Sequence, residues 1–99
     1  MSTDLQTLTK EKIKLDEPGL YDVIFLNDNI TTMEFVIRCL KQIFSKTQEQ
    51  AEAITKKIHD QGQGTVGSYV HEIAEQKGVE ATLLARNENY PLQVKVKKQ

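Results

Sequence analysis

Asn27, Asp28 and Asn29 stand together at the end of the apolar run YDVIFL, and the chain's two histidines, His59 and His71, follow much later. Two amides, a carboxylate and an imidazole are the groups with the widest chemical scope here. Asp28 with His59 makes an acid–base pair in principle. No activated nucleophile stands out beside them, because Cys39, the single cysteine, falls inside a helical pattern and reads as core. GxGxxG, Walker, CxxC and HExxH patterns are absent, and neither histidine has a partner at metal-ligand spacing. Adjoining Asn and Asp residues are ordinary turn chemistry, since their side chains bond nearby backbone amides. They equally suit a small polar site above a hydrophobic pocket. His59 closes a helix that carries Thr55 and Ile58 on the same side. An imidazole in that place either bonds a backbone carbonyl or joins such a site.

These groups need a scaffold, and the patterning supplies one. Leu20–Leu26 reads as a strand whose continuous apolar end suits burial on both faces. Thr31 lies three residues before Glu34, which is capping-box spacing and predicts a helix start there. Met33, Val36, Ile37, Leu40 and Phe44 continue it as one apolar stripe. Thr47 and Gln50 repeat the capping box for a second helix, which Gly62-Gln63-Gly64 ends. Residues 65–70 read as a strand with a glycine that permits a bulge. A third helix runs from about His71 to Asn87-Glu88-Asn89, with Ile73, Ala74, Val79, Ala81, Leu83 and Leu84 as its apolar positions. Leu92, Val94 and Val96 alternate with Gln93, Lys95 and Lys97 in a last, half-exposed strand. The fold class is α+β: a three-stranded antiparallel sheet packed against three helices in the order β-α-α-β-α-β.

At 99 residues, with 38% hydrophobic and 27% charged content, the chain makes one small domain. Residues 1–19 are expected to be a flexible tail, either a plain terminus or one that touches a partner, and residues 20–99 the core. A net charge of −1 gives no argument for nucleic acid or membrane, and neither is expected as a partner. Lys56-Lys57 and Lys95, Lys97 and Lys98 have no interleaved aromatics and read as solvated faces. The apolar runs are too short to span a bilayer, and the N-terminus lacks the apolar core of a secretory signal. With one cysteine, a reducing, cytoplasmic location is expected, with no cofactor and a monomer as the simplest state.

YDVIFLNDN, TTMEFV, IHDQG, HEIAEQK and YPL, in that order and spacing from Tyr21 to Lys97, resemble the bacterial ClpS adaptor family. The resemblance implies a non-enzymatic adaptor. It would bind proteins that begin with Leu, Phe, Tyr or Trp and deliver them to the ClpA unfoldase, which works with the ClpP protease in the N-degron pathway. It implies that Asn27, Asn29 and His59 surround the substrate's α-amino group while Asp28 adds negative potential. Thr31, Met33, Val36, Thr55, Ile58 and Leu92 would form the pocket for the first side chain, with Met33 as the gate against β-branched residues. Glu72 and Lys77 would touch the N-terminal domain of the unfoldase, and the tail would take part in delivery. A binding module of the same fold with another ligand is the alternative, ahead of a small enzyme or a purely structural domain.

Elementary chemistry supports that division of labour. An N-terminal residue offers an ammonium with three donors and a side chain at once, so its reader needs acceptors at a rim and an apolar hole below. Three positions depart from the family pattern. Asn29 replaces a common aspartate and weakens the pull on an ammonium. Thr55 replaces a common methionine, making the pocket wall smaller and more polar and leaving room for aromatic first residues. Thr32 replaces a usual proline.

Overall fold

A computed structural model describes residues 19–99. Six elements follow one another: β1 (Tyr21–Leu26), α1 (Met33–Ile43), α2 (Gln48–Gln61), β2 (Gln63–Tyr69), α3 (His71–Asn87) and β3 (Gln93–Lys98). The strands form one antiparallel sheet in the order β2-β1-β3. The expected α+β architecture and element order are therefore present. Of the expected tail, residues 1–18 lie outside the described residues.

β1 is central because it is the most apolar strand, and Val23 and Phe25 are fully buried on its core face. Ile24 points to the opposite face, between Thr65 and Lys95 of the flanking strands. It is buried but stands outside the main core cluster. The expected burial of β1 on both faces is therefore present, with the main core on the side of Val23 and Phe25. That core unites Val23, Phe25 and Val66 of the sheet with Phe35, Leu40, Phe44 and Ile58 of the helical layer. The β1–β2 register slips between Val23 and Ile24, which pair with Gly67 and Thr65, so Val66 is the extra residue of a bulge.

The start of α1 differs from the expected Thr31–Glu34 box. Thr32 is the N-cap, and its hydroxyl accepts from the Phe35 amide at 3.1 Å. Thr31 is drawn away by Asp28, whose carboxylate accepts from both its amide and its hydroxyl. The buried face accordingly centres on Phe35, Val36, Cys39 and Leu40, and Met33 is left 47% exposed. Burial pushes the Cys39 thiol up to about 12, so it is an inert core group. The second box is present as expected: Thr47 and Gln50 each satisfy the other's backbone amide.

On α3 the expected apolar face is also corrected. Ala74, Gly78, Ala81 and Ala85 are buried, whereas Ile73, Val79 and Leu83 are exposed. Small residues at intervals of four, three and four positions let the helix approach the sheet closely. A methyl at Gly78 would meet Val96 and Val94 at 3.5 and 3.6 Å, which is ordinary contact. Gly78→Ala is therefore expected to stabilise the fold by about 1 kcal/mol through helix propensity. A thermal melt should show a rise of roughly 4–8 °C; a fall would mean that the helix–sheet gap has no room for the methyl.

Candidate functional site

The end of β1 and the end of α2 are brought together by chain connectivity. Leu26 pairs with Gln63, the first residue of β2, immediately after α2 stops. Gly62 caps α2 in the left-handed conformation at φ 87°, which glycine adopts without a Cβ penalty. Its carbonyl accepts from the Asn27 amide at 2.9 Å. This single backbone bond fastens the Asn27 turn next to the last turn of α2, which carries His59.

The turn itself is built by Asp28. Its Oδ1 accepts from the amides of Ile30 and Thr31 at 2.8 and 2.6 Å, and its Oδ2 accepts from the Thr31 hydroxyl at 2.8 Å. Burial pushes the Asp28 carboxyl up, but these hydrogen bonds and the nearby Arg86 charge outweigh it, and the net shift is downward. Asp28 is thus an ionised organiser of the loop whose oxygens are occupied within it. The side chains of Asn27, Asn29 and His59 have no hydrogen-bond partner among the described residues and are exposed.

Below them lies a cavity of about 270 Å³ lined by Asn27, Asp28, Asn29, Thr31, Met33, Val36, Thr55, Ile58 and His59. The structure therefore gathers nine of the twelve expected site residues around one space, polar at the rim and mainly apolar inside. That volume suits one large side chain. Leu92 is not among these lining residues; it is 2% exposed, in the core cluster to which Val36 and Ile58 also belong. Glu72 is exposed in the first turn of α3. Lys77 has partners inside the fold, donating to the Ile43 carbonyl at 2.8 Å and lying over the Phe44 and Tyr69 rings.

Two supporting residues were not apparent from local patterning. Arg86 donates to the carbonyls of Tyr90 and Leu92, each at 2.8 Å, and so holds the α3–β3 connection while its charge acts on Asp28. The only local hint is a basic residue in a helix's last turn. Gly64, the second, backs the cavity wall: a Cβ there would fall 2.9 Å from Ile58 Cγ1. Gly64→Ala is expected to displace the Ile58 side chain, reduce stability by about 1–3 kcal/mol, and weaken binding in the cavity. Denaturant unfolding together with a peptide titration would check both effects.

Among the described residues no group of three or more His, Cys, Asp or Glu is placed to hold a metal ion. No described helix is long and apolar enough to cross a membrane.

The family model for the ATP-dependent Clp protease adaptor protein ClpS matches residues 16–95. The chain belongs to the ClpS family. A ClpS from Treponema denticola is 48% identical over 85 residues, covering 86% of this chain and 84% of that protein. One from Helicobacter hepaticus is 45% identical over 92 residues, covering 93% of this chain and 87% of the other. The solved structure of Agrobacterium tumefaciens ClpS2 bound to L-phenylalaninamide superposes with a TM-score of 0.81 at 32% identity, covering 84% of this chain and all of that one. Membership makes the protein a Clp protease adaptor and not an enzyme, so Asp28 and His59 are not an acid–base pair in catalysis.

Proposed function

We propose that this ClpS-family protein binds the first residue of proteins that begin with Leu, Phe, Tyr or Trp and delivers them to a ClpA-type unfoldase working with ClpP in the bacterial cytoplasm. The observation that carries the reading is the cavity. Asn27, Asn29 and His59 offer unpaired polar groups at its mouth, and Met33, Val36 and Ile58 give it apolar walls. A free α-amine would meet the rim and the first side chain would fill the hole. Burying one large apolar side chain contributes roughly 1.5–3 kcal/mol. An acetylated or internal residue would leave rim acceptors unpaired, which disfavours it further. L-phenylalaninamide, the ligand of the Agrobacterium relative, has a free amine, an aromatic side chain and an amidated carboxyl. Those are the features of the first residue of a peptide. On this reading Glu72 and Lys77 of α3 face the unfoldase's N-terminal domain.

Titration of peptides that differ only in their first residue, each with a free and an acetylated terminus, tests the proposal. Binding of Leu, Phe, Tyr and Trp with a free amine, and its loss on acetylation, is expected. Equal binding of acetylated peptides would favour a module of the same fold with another ligand, for which Asn29 and Thr55 are the departures that count. Addition of the protein to ClpA and ClpP should then speed degradation of a reporter that begins with Leu.

A further inference from the structure

Thr55 sits in the wall of the cavity, 4% exposed, and its Oγ1 is the one buried side-chain polar atom without a hydrogen-bond partner among the described residues. A threonine in a helix ordinarily escapes this state by donating to the carbonyl one turn earlier. Thr82 on α3 does so, bonding the Gly78 carbonyl at 2.9 Å. Thr55 occupies the same kind of position on α2 and leaves that option unused. Its surroundings in the cavity, Val36 and Ile58, offer no substitute. A buried hydroxyl left unpaired is costly, and in a native fold it calls for a specific explanation, a binding role among them.

We infer that Thr55 reads a hydroxyl at the far end of an aromatic first side chain, so that the pocket prefers N-terminal tyrosine to phenylalanine. The inference rests on the proposed amine-reading function and adds a second polar contact at depth. Thr55 precedes His59 by one helical turn, about 6 Å along the axis of α2. With the amine held at the level of Asn27 and His59, the para position of a ring reaches down by a similar distance. There the phenol of tyrosine pairs with Thr55 Oγ1. Phenylalanine presents a carbon at the same place. Any water serving the hydroxyl in the free protein is displaced by either ring, but only the phenol restores its hydrogen bond. Leucine is too short to matter to this contact and reports on the rest of the site.

The test is a titration of peptides beginning with Tyr, Phe, 4-methylphenylalanine and Leu, identical thereafter. The unaltered protein is expected to bind the Tyr peptide about three- to tenfold more tightly than the Phe peptide. It should discriminate similarly against 4-methylphenylalanine, which matches tyrosine in shape but has no hydroxyl. Thr55→Val, which keeps the shape and removes the hydroxyl, should bring the Tyr-to-Phe ratio to one or below, and Thr55→Ser should keep it above one. A ratio of one in the unaltered protein overturns the inference, as does a Tyr preference that persists in Thr55→Val. The comparison of Tyr with 4-methylphenylalanine uses the unaltered chain alone and so decides the matter even if a variant fails to fold. Binding of the Leu peptide with no Tyr preference would refute only the Thr55 contact. Binding of none of the four would refute the amine-reading function as well.

Discussion

Asn27→Ala and His59→Ala are each expected to lower the affinity for a peptide with a free Leu or Phe terminus by about ten- to a hundredfold, while leaving the thermal melt almost unmoved. The two halves of that expectation have separate physical causes. Neither side chain has a hydrogen-bond partner within the described fold, and both are exposed, so truncation removes no internal contact. Surface changes of that kind usually shift stability by less than about 0.5 kcal/mol. What holds this segment in place is the Asn27 main-chain amide on the Gly62 carbonyl, and alanine keeps it. Binding is different, because an ammonium drawn into the mouth of a low-dielectric cavity needs acceptors for its donors. Each acceptor removed leaves a charged donor unpaired. Asn29→Asp supplies the converse: a restored carboxylate should strengthen binding, and added salt should diminish the gain. Isothermal titration and a melt on the same samples separate the cases. A drop in affinity accompanied by a matching drop in melting temperature would mean that these side chains support the fold and do not read the amine.

The parts of this structure that were legible in the sequence are those decided within a few residues. The Thr47–Gln50 box, the Gly62 stop and the alternation of β3 are local chemistry, and each appears as expected. The errors lie where two local options compete or where the deciding partner is distant. Thr31 and Thr32 are equally able to cap α1, and the choice was made by the Asp28 carboxylate, which captures Thr31. On α3, hydrophobicity favours Ile73, Val79 and Leu83, but close approach to the sheet selects Ala74, Gly78, Ala81 and Ala85. That signal was present as small residues at helical spacing. Lys77 and Arg86 use long side chains to reach main-chain carbonyls, and no spacing rule could locate those targets. The cavity is a different matter. Its residues come from three segments, and only the family resemblance groups them; periodicity alone is compatible with Asn27-Asp28-Asn29 as either a turn or a site. Leu92, which the resemblance also assigns to the pocket, belongs to the core cluster that Val36 and Ile58 share.

Asp28→Ala is expected to be the most damaging single change near the site. It removes the acceptor of three hydrogen bonds that fold residues 28–31 into a turn. Bonds to an ionised group are individually strong, but they share one part-exposed carboxylate, so the loss should be about 2–4 kcal/mol and less than additive. Affinity should fall as well, since the turn sets where Asn27 and Asn29 point. Asp28→Asn is the informative companion: it keeps one oxygen for the Ile30 and Thr31 amides and removes the charge. Because the Asp28 carboxyl titrates below its ordinary value of 3.8 in the folded chain, its contribution is complete above the unfolded value and is lost as pH falls through the folded one. Asp22 is held down too, by Ser68 and Gln99 against its burial, and adds an acid-labile share of the same sign in every variant. The difference between the unaltered protein and Asp28→Asn therefore isolates Asp28. It should be constant from neutral pH down to about 5, shrink as pH falls through the unfolded and then the folded value, and level off once the carboxyl is protonated in both states. Denaturant unfolding at a series of pH values measures it. A difference that stays constant into strong acid would show that the charge of Asp28 contributes nothing and that its oxygens act only as neutral acceptors.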